Sequence, residues 1–210
     1  MEAARPENVA LFDMDGTLCD YERKLLKDLK RLRAPNEPDF AENVNGLPEH
    51  IRRRADAIRA SQDWWAKLPK LQLGWDVLGV AQELKYRIMI LTQGPKWNPA
   101  AWTGKKLWID RNLGPDVDIT ITRDKGLVYG KVLVDDWPPY VESWLAWRRN
   151  GLAIMPANRF NEGYSHDQVI RYDGKNLDEV RWAMEMRLSA GTEFGKLLRD
   201  SAKERRRLAH

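Results

Sequence analysis

The sequence predicts an α/β protein: a Rossmann-like parallel sheet core with a small helical cap inserted after the first strand. Three observations predict it. Short apolar runs rich in β-branched residues recur along the 210 residues, and longer amphipathic stretches separate them, as strands alternate with crossover helices in a parallel sheet. Between Leu18 and Leu73 the pattern turns helix-only, a stretch too long for an ordinary crossover. Polar and charged residues stand just past several apolar runs, where ligands bind in an open parallel sheet.

The strands are expected at Val9–Phe12, Arg87–Leu91, Ile119–Thr122, Val132–Val134, Leu152–Met155 and Val169–Tyr172. Helices are expected at Tyr21–Arg33, Pro48–Ala60, Trp75–Lys85, Pro99–Asn112, Tyr140–Asn150 and Leu177–Leu188. Asn150-Gly151 is a stop signal for the fifth of these, and Asn176 with Glu179 has the spacing of a capping box for the last. Residues 1–17 and 74–190 then form the core, 18–73 the cap, and 191–210 a basic helical tail. Such a cap would exclude water and shape a pocket.

Composition narrows the class. With 43% hydrophobic and 31% charged residues the chain reads as globular, and no run approaches a membrane span. The first seven residues hold no apolar stretch of signal-peptide type, and the single cysteine, Cys19, rules out an internal disulfide, so a cytoplasmic location is expected. Six Lys or Arg against three Asp or Glu in Gly191–His210 make nucleic acid a conceivable partner, but a solvated helix end is the commoner meaning of such a tail. His50 and His166 stand in polar contexts that suit surface roles.

The chemistry is concentrated at the strand ends. Asp13-Met14-Asp15-Gly16-Thr17 follows the first apolar run, and residues at i and i+2 of an extended chain share a face, so both carboxylates can address one cavity. One can attack phosphorus while the other handles the proton, given a divalent cation that suppresses repulsion. A calcium loop is excluded, because Gly falls at the fourth position and Thr17 at the fifth. Thr92-Gln93-Gly94 supplies a hydroxyl and backbone donors for phosphate oxygens. Asp135-Asp136 offers hard oxygen ligands, which favour Mg²⁺ over Zn²⁺. Arg123 and Lys125 place two cations where a substrate anion could lie. Among ten tryptophans, Trp64, Trp65 and Trp97 are candidates to face this cleft and stack on a nucleobase, although tryptophan is mostly a core residue.

In order and strand context, DMDGT, LTQ, a lysine and VDD resemble the four motifs of the haloacid dehalogenase-like (HAD) phosphohydrolases. A narrower resemblance is to the 5'(3')-deoxyribonucleotidases, through Lys105 and Trp108 after the second motif, the segment Thr122-Arg123-Asp124-Lys125, and the position of the cap. The chain departs from them at Gln93-Gly94-Pro95, where that family usually has Ser-Pro, and in a cap that does not align. The resemblance implies that Asp13 attacks a nucleoside monophosphate to form an aspartyl phosphate, and that Asp15 protonates the leaving oxygen and then activates water. It implies Mg²⁺ on Asp13, the backbone carbonyl of Asp15, Asp135 and, through water or by orientation, Asp136. Phosphate would be held by Thr92, Gln93 and Lys105, with Lys106 as the alternative lysine. Dimers occur in that family, so a homodimer is a further expectation. The competing readings are a phosphatase acting on 3'-phosphorylated polynucleotides and a binding protein that has lost turnover.

Overall fold

The computed structural model describes residues 8–37 and 47–189. The expected basic tail, and part of the segment read as a cap, lie outside the described residues. Six parallel strands form one sheet: β1 (Val9–Phe12), β2 (Arg87–Thr92), β3 (Asp118–Ile121), β4 (Val132–Val134), β5 (Leu152–Pro156) and β6 (Val169–Tyr172). Their order across the sheet is β3-β2-β1-β4-β5-β6, so the direction of winding reverses between β1 and β4. A crevice opens beyond the carboxyl ends of the strands at such a reversal, and ligands bind there. Register fixes the two strands that flank it, with Phe12 opposite Val134. The residues that follow, Asp13 and Asp135, therefore emerge side by side.

Alternation along the strands divides the core into two layers. Ala10 and Phe12 face a cluster with Val77, Ala81, Trp108 and Val180 from the helices α4 (Gln72–Glu83), α5 (Pro99–Asn112) and α7 (Leu177–Ser189). Val9 and Leu11 face the opposite layer, with Val141 and Trp144 of α6 (Pro138–Leu145). Burial on both faces is why these strands read as continuous apolar runs rather than as alternating ones.

Among the described residues, three helices intervene between β1 and α4: α1 (Tyr21–Arg31), α2 (Glu49–Arg59) and α3 (Gln62–Ala66). The first two carry an apolar cluster of their own, Leu25 and Leu29 against Ile51 and Ala55. The third is pressed against the core helix α5 at a glycine: a Cβ on Gly104 would lie 2.4 Å from the Cβ of Trp65 and 2.6 Å from the Gln62 carbonyl oxygen. Its start is capped by Ser61, whose hydroxyl accepts from the Trp64 amide.

Boundaries differ from the sequence expectation where side chains compete with the backbone. Helix α6 starts two residues early, because Pro138 and Pro139 suit a first turn that has no use for their missing amides. It stops at Leu145 rather than Asn150: the Arg148 guanidinium donates to the Trp144 carbonyl, the acceptor a further helical turn would have given the Arg148 amide. Asn176 and Glu179 do meet, amide to carboxylate at 2.9 Å, but the Asn176 side-chain oxygen accepts from Asp173, so the reciprocal capping box does not form. Cys19 is fully buried, and among the described residues no helix is long and apolar enough to cross a membrane.

Candidate active site

The loop after β1 is wound about one carbonyl. The Met14 oxygen accepts from the amides of Thr17, Leu18 and Cys19, while Gly16 closes back on the Cys19 carbonyl at 2.9 Å. Gly16 has φ +80°, and a Cβ there would lie 2.4 Å from Asp136 Oδ2, so conformation and space both require glycine. This turn presents Asp13 and Asp15 at the winding reversal.

Two buried lysines organise the carboxylates. Lys125 Nζ lies 2.6 Å from Asp135 Oδ2 and 3.0 Å from Asp13 Oδ1. It is delivered by a 3-10 turn, Lys125–Leu127, whose start is fixed by the Asp124 carboxylate accepting from the Gly126 amide. Burial alone would lower its pKa, but the Asp13 and Asp135 charges outweigh burial and hold the ammonium above its ordinary value. Lys105 Nζ, from α5, donates at 2.8 Å to each of Asp15 Oδ2, Thr92 Oγ1 and the Gln93 carbonyl. One lysine thus serves the Asp13 and Asp135 side of the site, and the other the Asp15 and Thr92 side.

Burial also sets the protonation of the acids. Desolvation raises the Asp15 carboxyl despite the Lys105 charge, favouring its proton-carrying form. It raises Asp135 to about 6 against the opposing Lys125, and drives Asp136 far above the ordinary carboxylate range, helped by the charges of Asp135 and Asp13. Among the described residues no lysine forms an ion pair with Asp136, although the Lys125 charge acts on it from a distance. Its carboxylate is held by Asn158 Nδ2 at 2.7 Å and, more loosely, by the Thr17 hydroxyl at 3.4 Å. Asn161 donates to the Asp136 backbone carbonyl at 3.1 Å.

This donor set fits a hard divalent cation. Asp13, Asp135 and Asp136 each offer an oxygen within 4.8 Å of the others. Asp15 Oδ1 is buried and accepts no hydrogen bond, and Asp13 Oδ1 meets only the Lys125 ammonium. With all four acids ionised, the state a bound cation would favour over the protonation that burial imposes, four carboxylates face two ammoniums, a surplus of two negative charges that one Mg²⁺ would cancel. Asp15 stands outside the metal cluster by its side chain, which is turned to Lys105.

A cleft of about 740 Å³ reaches the site at Asp15 and Gln93, while Asp13, Asp135, Asp136, Thr92 and Lys105 are not in its lining. Of the residues the sequence suggested for it, Asp15, Gln93, Trp65, Trp97 and Arg123 line it. Lys125 does not, because it is buried beneath Asp13. Trp64 is turned away as well, donating to Asp28 at 2.7 Å and lining a separate cavity between α1 and α2. Trp65 touches the cleft but has no free face for a nucleobase, contrary to the sequence expectation: it is 2% exposed, its indole N–H is bound to the Arg59 carbonyl, Tyr21 stacks on it at 5.5 Å and Trp64 meets it edge-on. Sequence reasoning passed over Tyr21, Asp56 and Arg59, which bring α1 and α2 to the cleft wall. It also passed over Asn158, although the strand-end rule that found the other residues points to the segment after β5.

The fold and the site can now be set beside known proteins. The model of one protein family, 5' nucleotidase, deoxy (pyrimidine), cytosolic type C protein, matches residues 7–170. The chain belongs to this deoxynucleotidase family. Its relatives include the mitochondrial 5'(3')-deoxyribonucleotidase of Mus musculus, 28% identical over 193 residues, which cover 80% of this chain and 86% of that one. The cytosolic-type enzyme of Homo sapiens is 27% identical over 139 residues, covering 60% and 69%. In fold, the chain is similar to a solved Thermotoga maritima structure named for β-phosphoglucomutase, at TM-score 0.52 and 13% identity, covering 85% of this chain and 98% of that one. A chain of this deoxynucleotidase family is a phosphatase.

Proposed function

We propose that the protein is a Mg²⁺-dependent hydrolase that removes phosphate from deoxynucleoside monophosphates through an aspartyl phosphate on Asp13. The observation that carries this reading is the pair of lysine-bridged carboxylate groups at the winding reversal, one around Asp13 and one around Asp15. Family membership supports a nucleotide as the substrate.

In the first step an Asp13 carboxylate oxygen forms a bond to phosphorus as the ester oxygen departs, and the Asp15 carboxyl gives that oxygen its proton. In the second, Asp15 takes a proton from water, the water oxygen attacks phosphorus, and inorganic phosphate leaves Asp13 free. The Lys105 ammonium and Thr92 hydroxyl, 2.8 Å apart, bind phosphate oxygens and offset the charge that would repel an anionic nucleophile. Lys125 fixes Asp13 relative to Asp135. Held by Asp13, Asp135 and Asp136, with the Asp15 backbone carbonyl as the resemblance implies, Mg²⁺ would supply charge neutralisation of the phosphate.

The same proposal makes residues 18–73 a cap over a core of 1–17 and 74–190, supported by the separate apolar cluster of α1 and α2 and by their side chains in the cleft wall. A cytoplasmic location is part of it too; the relatives include a cytosolic-type and a mitochondrial enzyme.

The test is a phosphate-release screen over ribo- and deoxyribonucleoside monophosphates, sugar phosphates and 3'-phosphorylated oligonucleotides, with and without Mg²⁺. Deoxynucleoside monophosphates should lead, and Asp13→Asn should abolish their turnover while leaving the fold intact. Faster release from the oligonucleotide, or full activity of Asp13→Asn, would overturn the reading.

A further inference from the structure

Three buried side-chain polar atoms lack a hydrogen-bond partner among the described residues. Two are active-site oxygens, of Asp15 and of Asp13, the latter approached by the Lys125 ammonium at 3.0 Å. The third, Arg148 Nε, is sealed from solvent on a residue that lines a different cavity, of about 270 Å³, at the opposite end of the sheet where β4 and β5 begin. Its lining includes Tyr129, Lys131, Arg148 and Arg187, and no carboxylate among the described residues.

All three cations are half-buried. Partly buried cations elsewhere in the molecule face acids, as Arg54 faces Glu37 and Arg59 faces Asp56. Here Lys131 Nζ meets only the neutral Asn8 side-chain oxygen, at 2.5 Å. Arg148 Nη1 donates to the carbonyls of Gly126 and Trp144 and Nη2 to that of Val128, which leaves one Nη2 N–H for a ligand. Arg187 forms no ion pair with a described residue. Burial lowers the pKa of all three, with nothing but the phenols of Tyr129 and Tyr86 to oppose it.

Charge withdrawn from water and left unpaired is costly, and an orphaned guanidinium N–H adds to the cost. A ligand suited to them would bring negative charge and several acceptors at once. The cavity is far larger than one water requires and small enough to exclude most organic acids of nucleotide size except by their phosphates. We infer that this cavity is a second anion site, separate from the catalytic cleft, that takes a phosphate-class oxyanion between Lys131, Arg148 and Arg187. The ligand is free phosphate or the phosphate chain of a nucleotide. Through Arg148 the anion would sit against the clamp on Gly126 and Val128, the turn that carries Lys125 to the active site.

Calorimetric titration decides it. The native chain is titrated with inorganic phosphate, and the Asp13→Asn chain with ATP, each against chloride at equal ionic strength. The same titrations are then made with Lys131→Gln and Arg187→Gln introduced together, replacements that remove the charge and keep most of the side-chain bulk at these half-buried positions. The paired substitution should remove one binding site, or weaken it at least tenfold, for at least one probe, with the thermal midpoint preserved. Loss for phosphate as well as ATP identifies the free anion as sufficient, and loss for ATP alone identifies the nucleotide. Unchanged stoichiometry and affinity for both probes, or no binding of either beyond the catalytic cleft, would overturn the inference.

Discussion

Asn158 shows how much of the site depends on a neutral side chain. Among the described residues Asp136 is the one carboxylate of the metal cluster that forms no ion pair with a lysine, and the Asn158 amide at 2.7 Å sets its orientation. Partners of this kind, one step removed from a metal, are worth about 10–100-fold in affinity. Asn158→Ala should weaken Mg²⁺ binding by about that factor when measured by calorimetry without substrate. Arg171→Ala is the control. It loosens the same loop through the Asn161 side chain and the Asn158 backbone carbonyl, without touching the Asp136 or Asn158 side chains, so an equal loss there would mean that loop order alone, and not the amide, is responsible. At this scale the sequence was legible where spacing fixes direction, as for Asp13 and Asp15, and illegible where neighbours diverge. Trp64 and Trp65 look like a pair in the sequence, but consecutive residues of a helix do not share a face, so one tryptophan reaches the cleft and the other Asp28.

Elements were legible in proportion to their length and burial. All six strands lie within a residue or two of their expected positions, because apolar runs bounded by polar strand ends leave little freedom. The five-residue α3 escaped, being too short to show a helical period, and so did its role as the joint between α2 and α5. That joint depends on Gly104. Gly104→Ala would place a methyl against the Trp65 Cβ and the Gln62 carbonyl, backbone-bound atoms that cannot swing aside. Overpacking of this sort costs about 1–3 kcal/mol, despite the gain in helix propensity from alanine. Urea unfolding should record that loss, and an unchanged midpoint would show that α3 is loosely seated.

For the molecule as a whole, the uncompensated acids at the winding reversal link metal binding to folding. A cation that binds the native chain and not the unfolded one stabilises it by about 2.7 kcal/mol at a hundredfold excess over its dissociation constant. In a protein of this size that corresponds to about 5–10 °C. Thermal unfolding with Mg²⁺, against K⁺ at equal ionic strength, should show a rise of that order, and Asp136→Asn should shrink it. A midpoint indifferent to Mg²⁺ would contradict the fit of the acid cluster to a metal.

The position of the sole cysteine has a practical corollary. Cys19 is sealed beneath the catalytic turn, and burial, reinforced by the Asp15 charge, pushes its thiol well above the ordinary range. A maleimide offered to the intact protein should find nothing to label, so the rate of modification would count excursions to the open chain. Surface cysteines engineered for fluorophores or spin probes, on α1 and α5 for example, would report the distance between those helices without interference from a native sulfur.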